Sequence, residues 1–150
     1  MTERDAVRLE QQLCFALYSA SRAMTTCYRP LLEDLGLTYP QYLVMLALLE
    51  RDPVTVKDLG AVLRLDSGTL SPLLKRMAAA GLLTRSRSAA DERSVVVSLT
   101  EAGEALRERI AEVPAGVLAA SGSSLEQIMA LQADVTAFLA RMERVAEEPS

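Results

Sequence analysis

The residue with the most chemistry open to it is Cys14, followed four positions later by Tyr18 and further on by Tyr28 and Tyr39. A deprotonated thiol attacks a peroxide oxygen and ends as a sulfenate, so a cysteine used this way needs donors to its anion. Phenol hydroxyls are neutral donors that leave the surrounding pocket apolar. Phe15 and the neighbouring leucines would surround such a thiol with apolar surface. Taken singly, these residues have plainer uses. A buried free cysteine is usually a small hydrophobe, and a tyrosine is often a core aromatic with a satisfied hydroxyl.

Spacing adds a constraint. Tyr28 lies 14 residues beyond Cys14, about 21 Å along a straight helix at roughly 1.5 Å per residue. It cannot reach Cys14 of its own chain. Two first helices paired antiparallel about a point near Ser21 would, however, set Cys14 of one chain beside Tyr28 of the other. At about 100° per residue, Tyr28 falls within about 40° of the Cys14 face, whereas Cys27 falls about 140° away. Cys27 is therefore expected to be a bystander, with no disulfide between chains.

Composition removes several function classes. There is no histidine and no tryptophan, which excludes a histidine-based triad, a histidine-ligated metal and an imidazole base. Two cysteines without histidine cannot build a structural zinc site in one chain, so no metal and no cofactor is expected. No apolar run is long enough to span a bilayer, and the first residues, MTERDAVRLEQQ, are charged rather than leader-like. A cytoplasmic protein without membrane contact is the expectation. The net charge of −4 hides its distribution: from Lys57 to Arg93 seven basic residues stand against four acidic ones, a local +3 that leaves −7 elsewhere. A basic middle between acidic ends fits a DNA-contacting module between assembly segments.

The elements follow from periodicity and caps. No Pro or Gly interrupts Asp5 to about Cys27, and Leu9, Leu13, Leu17, Ala20 and Met24 recur at helical steps, which predicts a long first helix. Pro30 and Gly36 are expected to bound a short second segment. Tyr39-Pro40 should restart a helix whose run from Tyr42 to Leu49 is too apolar to face water. Thr55 and Asp58 form a capping-box-like start to a short helix through Leu59, Gly60 and Leu63. After the turn Arg64-Leu65-Asp66, a second helix is predicted over Ser67 to Ala80, with Leu70, Leu73, Leu74 and Met77 on one face, Pro72 placed early and Gly81 as the stop. Two helices joined this tightly read as a helix-turn-helix. The runs from Leu82 to Arg87 and from Ser94 to Leu99 flank a polar turn as a hairpin wing. Thr100 then caps a helix bent at Pro114 and Gly116, and Ser123 with Glu126 opens a last helix through Leu131, Val135, Phe138, Leu139 and Met142.

A helix in the major groove needs small polar residues near its N-terminus for base edges and basic residues for phosphates. Ser67, Thr69 and Ser71 with Lys75 and Arg76 supply both, and the wing adds Arg85, Arg87 and Arg93. An arginine on a thin hairpin can enter the minor groove. Any one of these charges alone would more simply solvate its element.

The succession DSGTLSPLLKRMAAAGLL and TRSRSAADERSVVVSLTEAG resembles the MarR family of bacterial repressors over nearly the whole chain. LCFALYSASRAMTTCYRPLL with LTYPQYLVMLALLE resembles its organic-hydroperoxide-resistance repressors, and the family wing motif stands here as Asp91-Glu92-Arg93-Ser94. The resemblance implies a mainly α fold with a small β-hairpin wing: one winged helix-turn-helix domain with N- and C-terminal dimerisation helices. The dimerisation helices would lie in 1–34 and 114–150, the DNA-binding lobe in 38–100 and a linking helix in 101–113. It further implies a homodimer on an inverted-repeat operator in double-stranded DNA, with the second helix of each helix-turn-helix in the major groove and Arg93 in the minor groove, and with Asp91 shaping the wing. By the same resemblance Cys14 is the redox-sensing thiol, bonded by the partner chain's Tyr28 and Tyr39 with Tyr18 assisting from its own chain, and an organic hydroperoxide is the oxidant. The two-cysteine members place a resolving cysteine far downstream, where the region around Ser121 has none. This chain therefore looks like the one-cysteine type, capped after oxidation by a low-molecular-weight thiol or overoxidised. An alternative on the same fold is release by a small phenolic or aromatic ligand. A thiol peroxidase is a further alternative, set lower because no amide cradle or arginine beside the cysteine is apparent.

Overall fold

The computed structural model describes residues 7–147. The expected start of the first helix at Asp5 lies outside the described residues. The chain divides into two compact units, Met1–Val113 and Pro114–Ser150.

Helix α1 (Leu13–Glu33) begins later and ends later than its periodicity predicts. A single 3-10 turn, Leu9–Gln11, precedes it, and Gln12 is extended at φ −86° and ψ 119°, so Leu9 belongs to a separate turn. Pro30 sits inside α1 rather than bounding it. A proline there removes one helical bond at a cost of about 3 kcal/mol. What carries the helix through is anchorage beyond the proline: Leu32 and Leu37 are buried, and Leu37 N–H and Gly36 N–H bond the carbonyls of Leu32 and Glu33 at 3.0 Å each. Gly36, at φ +68°, makes the left-handed stop that this paired-bond ending needs.

Helix α2 (Tyr39–Glu50) opens on a reciprocal capping box between Thr38 and Gln41. Tyr42, Val44, Met45 and Leu48 enter the core, while Leu46 remains exposed, so the apolar run is buried in part only. A two-residue strand β1 (Val54–Thr55) follows, which the sequence did not signal. Helix α3 (Val56–Leu63) is capped by the Thr55 hydroxyl, which accepts from Asp58 N–H at 3.1 Å. Helix α4 (Ser67–Ala79) ends at Gly81 (φ +78°), again with two bonds closing the turn. Pro72 stands in the second turn of α4, later than the first-turn site where a lost donor costs least. Leu70, Leu73, Leu74 and Met77 of α4 pack into the core.

Strands β2 (Leu83–Arg87) and β3 (Val95–Leu99) form the expected hairpin, and β1 adds to β3, giving a three-stranded antiparallel sheet in the order β1-β3-β2. Thr100 caps α5 (Glu101–Glu104), a single turn separate from α6 (Arg107–Ser121), so the predicted helix is split. At Gly103 a Cβ would lie 2.1 Å from the Leu82 carbonyl oxygen. Only glycine lets α5 pass this close to the strand leading into the wing.

In the second unit, the cap of α7 (Leu125–Glu147) lies one residue after the predicted one. Ser124 and Gln127 make the capping pair, in place of Ser123 and Glu126. Helix α7 has no buried residue, and Leu125, Met129, Leu131 and Met142 are exposed. On α1, Leu13, Phe15, Tyr18 and Met24 are exposed as well, and Leu32 alone is buried. Among the described residues no helix is long and apolar enough to cross a membrane, and no cluster of side chains could hold a metal ion.

Candidate redox site and nucleic-acid interface

Cys14 is the second residue of α1 and is exposed. Gln12 supplies no side-chain cap, and the first helical bond runs from Ala16 N–H to the Gln12 carbonyl at 3.1 Å. The N–H groups of Leu13, Cys14 and Phe15 therefore precede the helical ladder, at the end of a helix that favours negative charge. Tyr18 follows one turn on and is also exposed.

Tyr28 stands far along the same helix, whose continuity from Leu13 to Glu33 keeps it from its own Cys14. It is joined instead to Tyr39 at the start of α2, the ring centres lying 4.9 Å apart and tilted by 58°. Tyr42, one turn beyond Tyr39, completes a cluster at 5.6 Å from Tyr28 and 6.2 Å from Tyr39. Burial pushes the Tyr28 hydroxyl above its ordinary pKa, and the neighbouring Tyr39 adds to this. Burial raises Tyr39 likewise. Tyr42 is pushed up to about 12, by burial first and then by Tyr28 and Tyr39. Near neutral pH all three are uncharged hydroxyls, able to donate to an anion. Sequence reasoning assigned Tyr42 to the core alone. Its i, i+3 spacing from Tyr39 is the signal that would have joined it to the cluster. Cys27 is a half-buried free thiol.

The second constellation is built on the turn between α3 and α4. Arg64 takes a left-handed conformation (φ 53°), and Leu65 N–H bonds the Gly60 carbonyl at 2.9 Å. A Cβ at Gly60 would stand 2.9 Å from the Leu65 oxygen, so a glycine permits this close turn. Asp66 caps α4 by accepting from Thr69 N–H at 2.7 Å. That backbone bond, with smaller help from the Thr69 hydroxyl and the Gly68 backbone, holds the Asp66 carboxyl below the usual carboxylate range. Ser67 and Thr69 are exposed at the start of α4, Ser71 is half-buried, and Lys75 and Arg76 are exposed further along.

A cleft of about 660 Å³ opens between α3, α4 and the wing, and Lys57, Ser67, Ser71, Arg85 and Arg93 line it. Of the predicted residues, it brings together Ser67, Ser71, Arg85 and Arg93; Thr69, Lys75, Arg76 and Arg87 are not among its walls. Arg85 lies on the inward side of β2, and its Nε is buried without a hydrogen-bond partner. Arg87 is turned to the wing's own framework, where its Nη1 donates to the Glu92 carbonyl at 2.8 Å. Asp91 accepts from Arg93 N–H at 3.0 Å, and its carbonyl accepts from Ser94 N–H at 2.9 Å, so it shapes the turn that carries Arg93. The Arg93 side chain is exposed at the tip.

The family described as transcriptional regulator SarA/Rot matches residues 26–110. The organic hydroperoxide resistance transcriptional regulator of Bacillus subtilis is 52% identical over 128 residues, covering 85% of this chain and 87% of that protein. The chain belongs to the MarR/SarA family of winged-helix transcriptional regulators. Another member, the regulator MgrA of Staphylococcus aureus, is 40% identical over 85% of this chain and 87% of its own length. Among solved structures, reduced AbfR bound to DNA matches with a TM-score of 0.76 at 32% identity, over 94% of this chain and 99% of that one. AbfR of Staphylococcus epidermidis has also been solved overoxidised on DNA and in a disulfide-formed state. As a MarR/SarA regulator the chain has the expected fold, a winged helix with a small sheet, and its relatives are transcriptional regulators rather than enzymes.

Proposed function

We propose that this regulator is a cytoplasmic homodimeric repressor that binds an inverted-repeat operator and releases it when an organic hydroperoxide oxidises Cys14. The observation that carries the redox part is the packed pair Tyr28 and Tyr39, two neutral donors brought together by α1 and α2, with Tyr28 about 21 Å along α1 from the thiol of its own chain. Such a pair suits an anion delivered by a second copy. The exposed apolar faces of α1 and α7 support self-association, since monomeric proteins rarely leave such faces uncovered. Sedimentation at micromolar concentration should give a dimer; a stable monomer refutes the arrangement.

In the step itself, the Cys14 sulfur pair attacks the distal peroxide oxygen, forming an S–O bond as the O–O bond breaks. The alkoxide leaves and takes a proton to become the alcohol. Sulfur is oxidised to the sulfenic acid and the peroxide is reduced. A low-molecular-weight thiol then caps the sulfenic acid with loss of water. On the DNA side, Ser67, Thr69 and Ser71 would meet base edges, Lys75 and Arg76 phosphates, and Arg93 the minor groove, with Arg85 facing the cleft beside α4 and Arg87 bracing the wing through the Glu92 carbonyl.

Gel-shift binding before and after one equivalent of an organic hydroperoxide, with mass spectrometry on Cys14, tests the reading. Cys14→Ser should bind DNA as the parent does and ignore peroxide. Peroxide release that persists in Cys14→Ser would refute redox control by this thiol.

A further inference from the structure

Arg22 is held against Tyr18 in two ways at once. Its guanidinium carbon lies 5.5 Å from the centre of the Tyr18 ring, and its Nη1 donates to the Tyr18 hydroxyl oxygen at 3.5 Å. A guanidinium carries donors only, so the phenol oxygen is the acceptor in this pair, and its single proton stays free for another partner. A cation over the ring also draws electron density from the phenol, which makes that O–H a better donor. Side chains on a helix lean toward its N-terminus and over the preceding turn. Arg22 therefore covers the turn of Tyr18, and Tyr18 covers the turn of Cys14, the three residues standing at i, i+4 and i+8 along α1. An exposed arginine on a long helix ordinarily needs no such partner. Here it reaches the phenol from a turn further along α1, on the C-terminal side of Tyr18.

We propose that Arg22 is a positioning residue for oxidation of Cys14: it occupies the Tyr18 oxygen as an acceptor and so aims the Tyr18 proton at the sulfur. This rests on the reading of Cys14 as the peroxide-reactive thiol. The Tyr18 proton is not consumed. It bonds the thiolate before attack and the sulfenate oxygen after it, while the departing alkoxide draws its proton from water. Arg22 supplies the missing cation of the thiol's surroundings at one remove, through a phenol rather than beside the sulfur.

The test is the rate of Cys14 sulfenate formation in the full-length protein with cumene hydroperoxide, trapped with dimedone and read by mass spectrometry. Arg22→Gln and Tyr18→Phe should each slow the reaction about two- to fivefold, the weight of one exposed cation–ring contact and one hydroxyl. The double variant should be no slower than the slower single one, and Arg22→Lys, which keeps the cation, should recover most of the rate. Operator affinity and thermal midpoint should stay at the parent's values. Equal slowing by Arg22→Gln in the Tyr18→Phe background, or no slowing at all, overturns the proposal. A parent protein that forms no sulfenate with one equivalent of peroxide refutes the function proposed for Cys14, and the role of Arg22 falls with it. A reactive parent with an equally reactive Arg22→Gln refutes the role of Arg22 alone.

Discussion

Replacing Tyr28 or Tyr39 by phenylalanine removes one hydroxyl and leaves the ring pair, with its 4.9 Å centre separation, in place. The effect can therefore be read as the loss of a donor and not of packing. A hydrogen bond to a charged partner contributes roughly 1.5–3 kcal/mol, which corresponds to about one to two powers of ten in rate if the bond is present when the thiolate attacks. Burial raises both phenols, so both remain protonated throughout the neutral range and neither effect should vary between pH 6 and 9 on their account. The assay is the second-order rate of Cys14 oxidation by cumene hydroperoxide, with gel-shift release as a second readout. If both hydroxyls bond one sulfur, the double variant should lose less than the product of the two single effects, because the remaining donors and water re-solvate the anion. A Tyr28→Phe protein that oxidises within twofold of the parent, with its dimer intact, would refute the idea that this pair receives the partner's thiol.

Arg93→Ala should weaken operator binding and lower the salt slope by about one unit, checked by titrations at several salt concentrations; an unchanged slope would place the wing off the DNA. Gly103→Ala should cost about 1–3 kcal/mol in urea unfolding, since a Cβ there would meet the Leu82 carbonyl oxygen at 2.1 Å and backbone must shift. Tyr42 binds its proton more tightly in the folded state, so its contribution to stability is complete below about pH 10 and is lost as pH rises through about 12. Tyr42→Phe should accordingly lose less stability than the parent between pH 9 and 11.5. Cys27→Ser should leave peroxide response unchanged, and non-reducing gels should show no covalent dimer that depends on Cys27.

What was legible in the sequence was local. Asp66 before a helical stripe, Gly81 after it, Thr100 before Gly103 and the polar turn around Asp91 each state a short-range bond that the structure contains. The errors arose where a tertiary contact outweighs the local signal. Leu9 continues the heptad-like spacing of α1, but the backbone turns extended at Gln12, and no spacing rule shows that. Pro30 looks like a boundary until Leu32 and Leu37 are seen anchoring the helix end in the core. The strand β1 is two residues long and exists only because β3 lies beside it. Tyr42 and Arg22 were hidden for opposite reasons. One reads as an ordinary core aromatic and the other as an ordinary surface charge, and only three-dimensional proximity attaches them to Tyr28, Tyr39 and Tyr18.

The same first unit that holds the tyrosine cluster also holds α3, α4 and the wing, and two arginines tie them. Arg109 at the start of α6 donates to the Asp34 carbonyl at 2.6 Å, just past the end of α1, and Arg107 donates to the Leu49 carbonyl at 3.2 Å, near the end of α2. Arg107 is also bonded to Glu104, the last residue of α5. From α5 the connection reaches the wing by close backbone contact: the Thr100 hydroxyl donates to the Gly81 carbonyl at 2.5 Å, and Gly103 lies against Leu82. The helices bearing Tyr28 and Tyr39 thus share fixed bonds with the segment that enters β2. Helix ends held by charged donors resist independent drift, because an abandoned bond leaves a guanidinium and a carbonyl to be re-solvated. If α1 pairs with a second copy as proposed, a change in that pairing would be absorbed by moving the lobe as a body or by breaking one of these arginine bonds. In the proposed dimer either response would alter the spacing between the two α4 helices, and operator half-sites tolerate little error in that spacing.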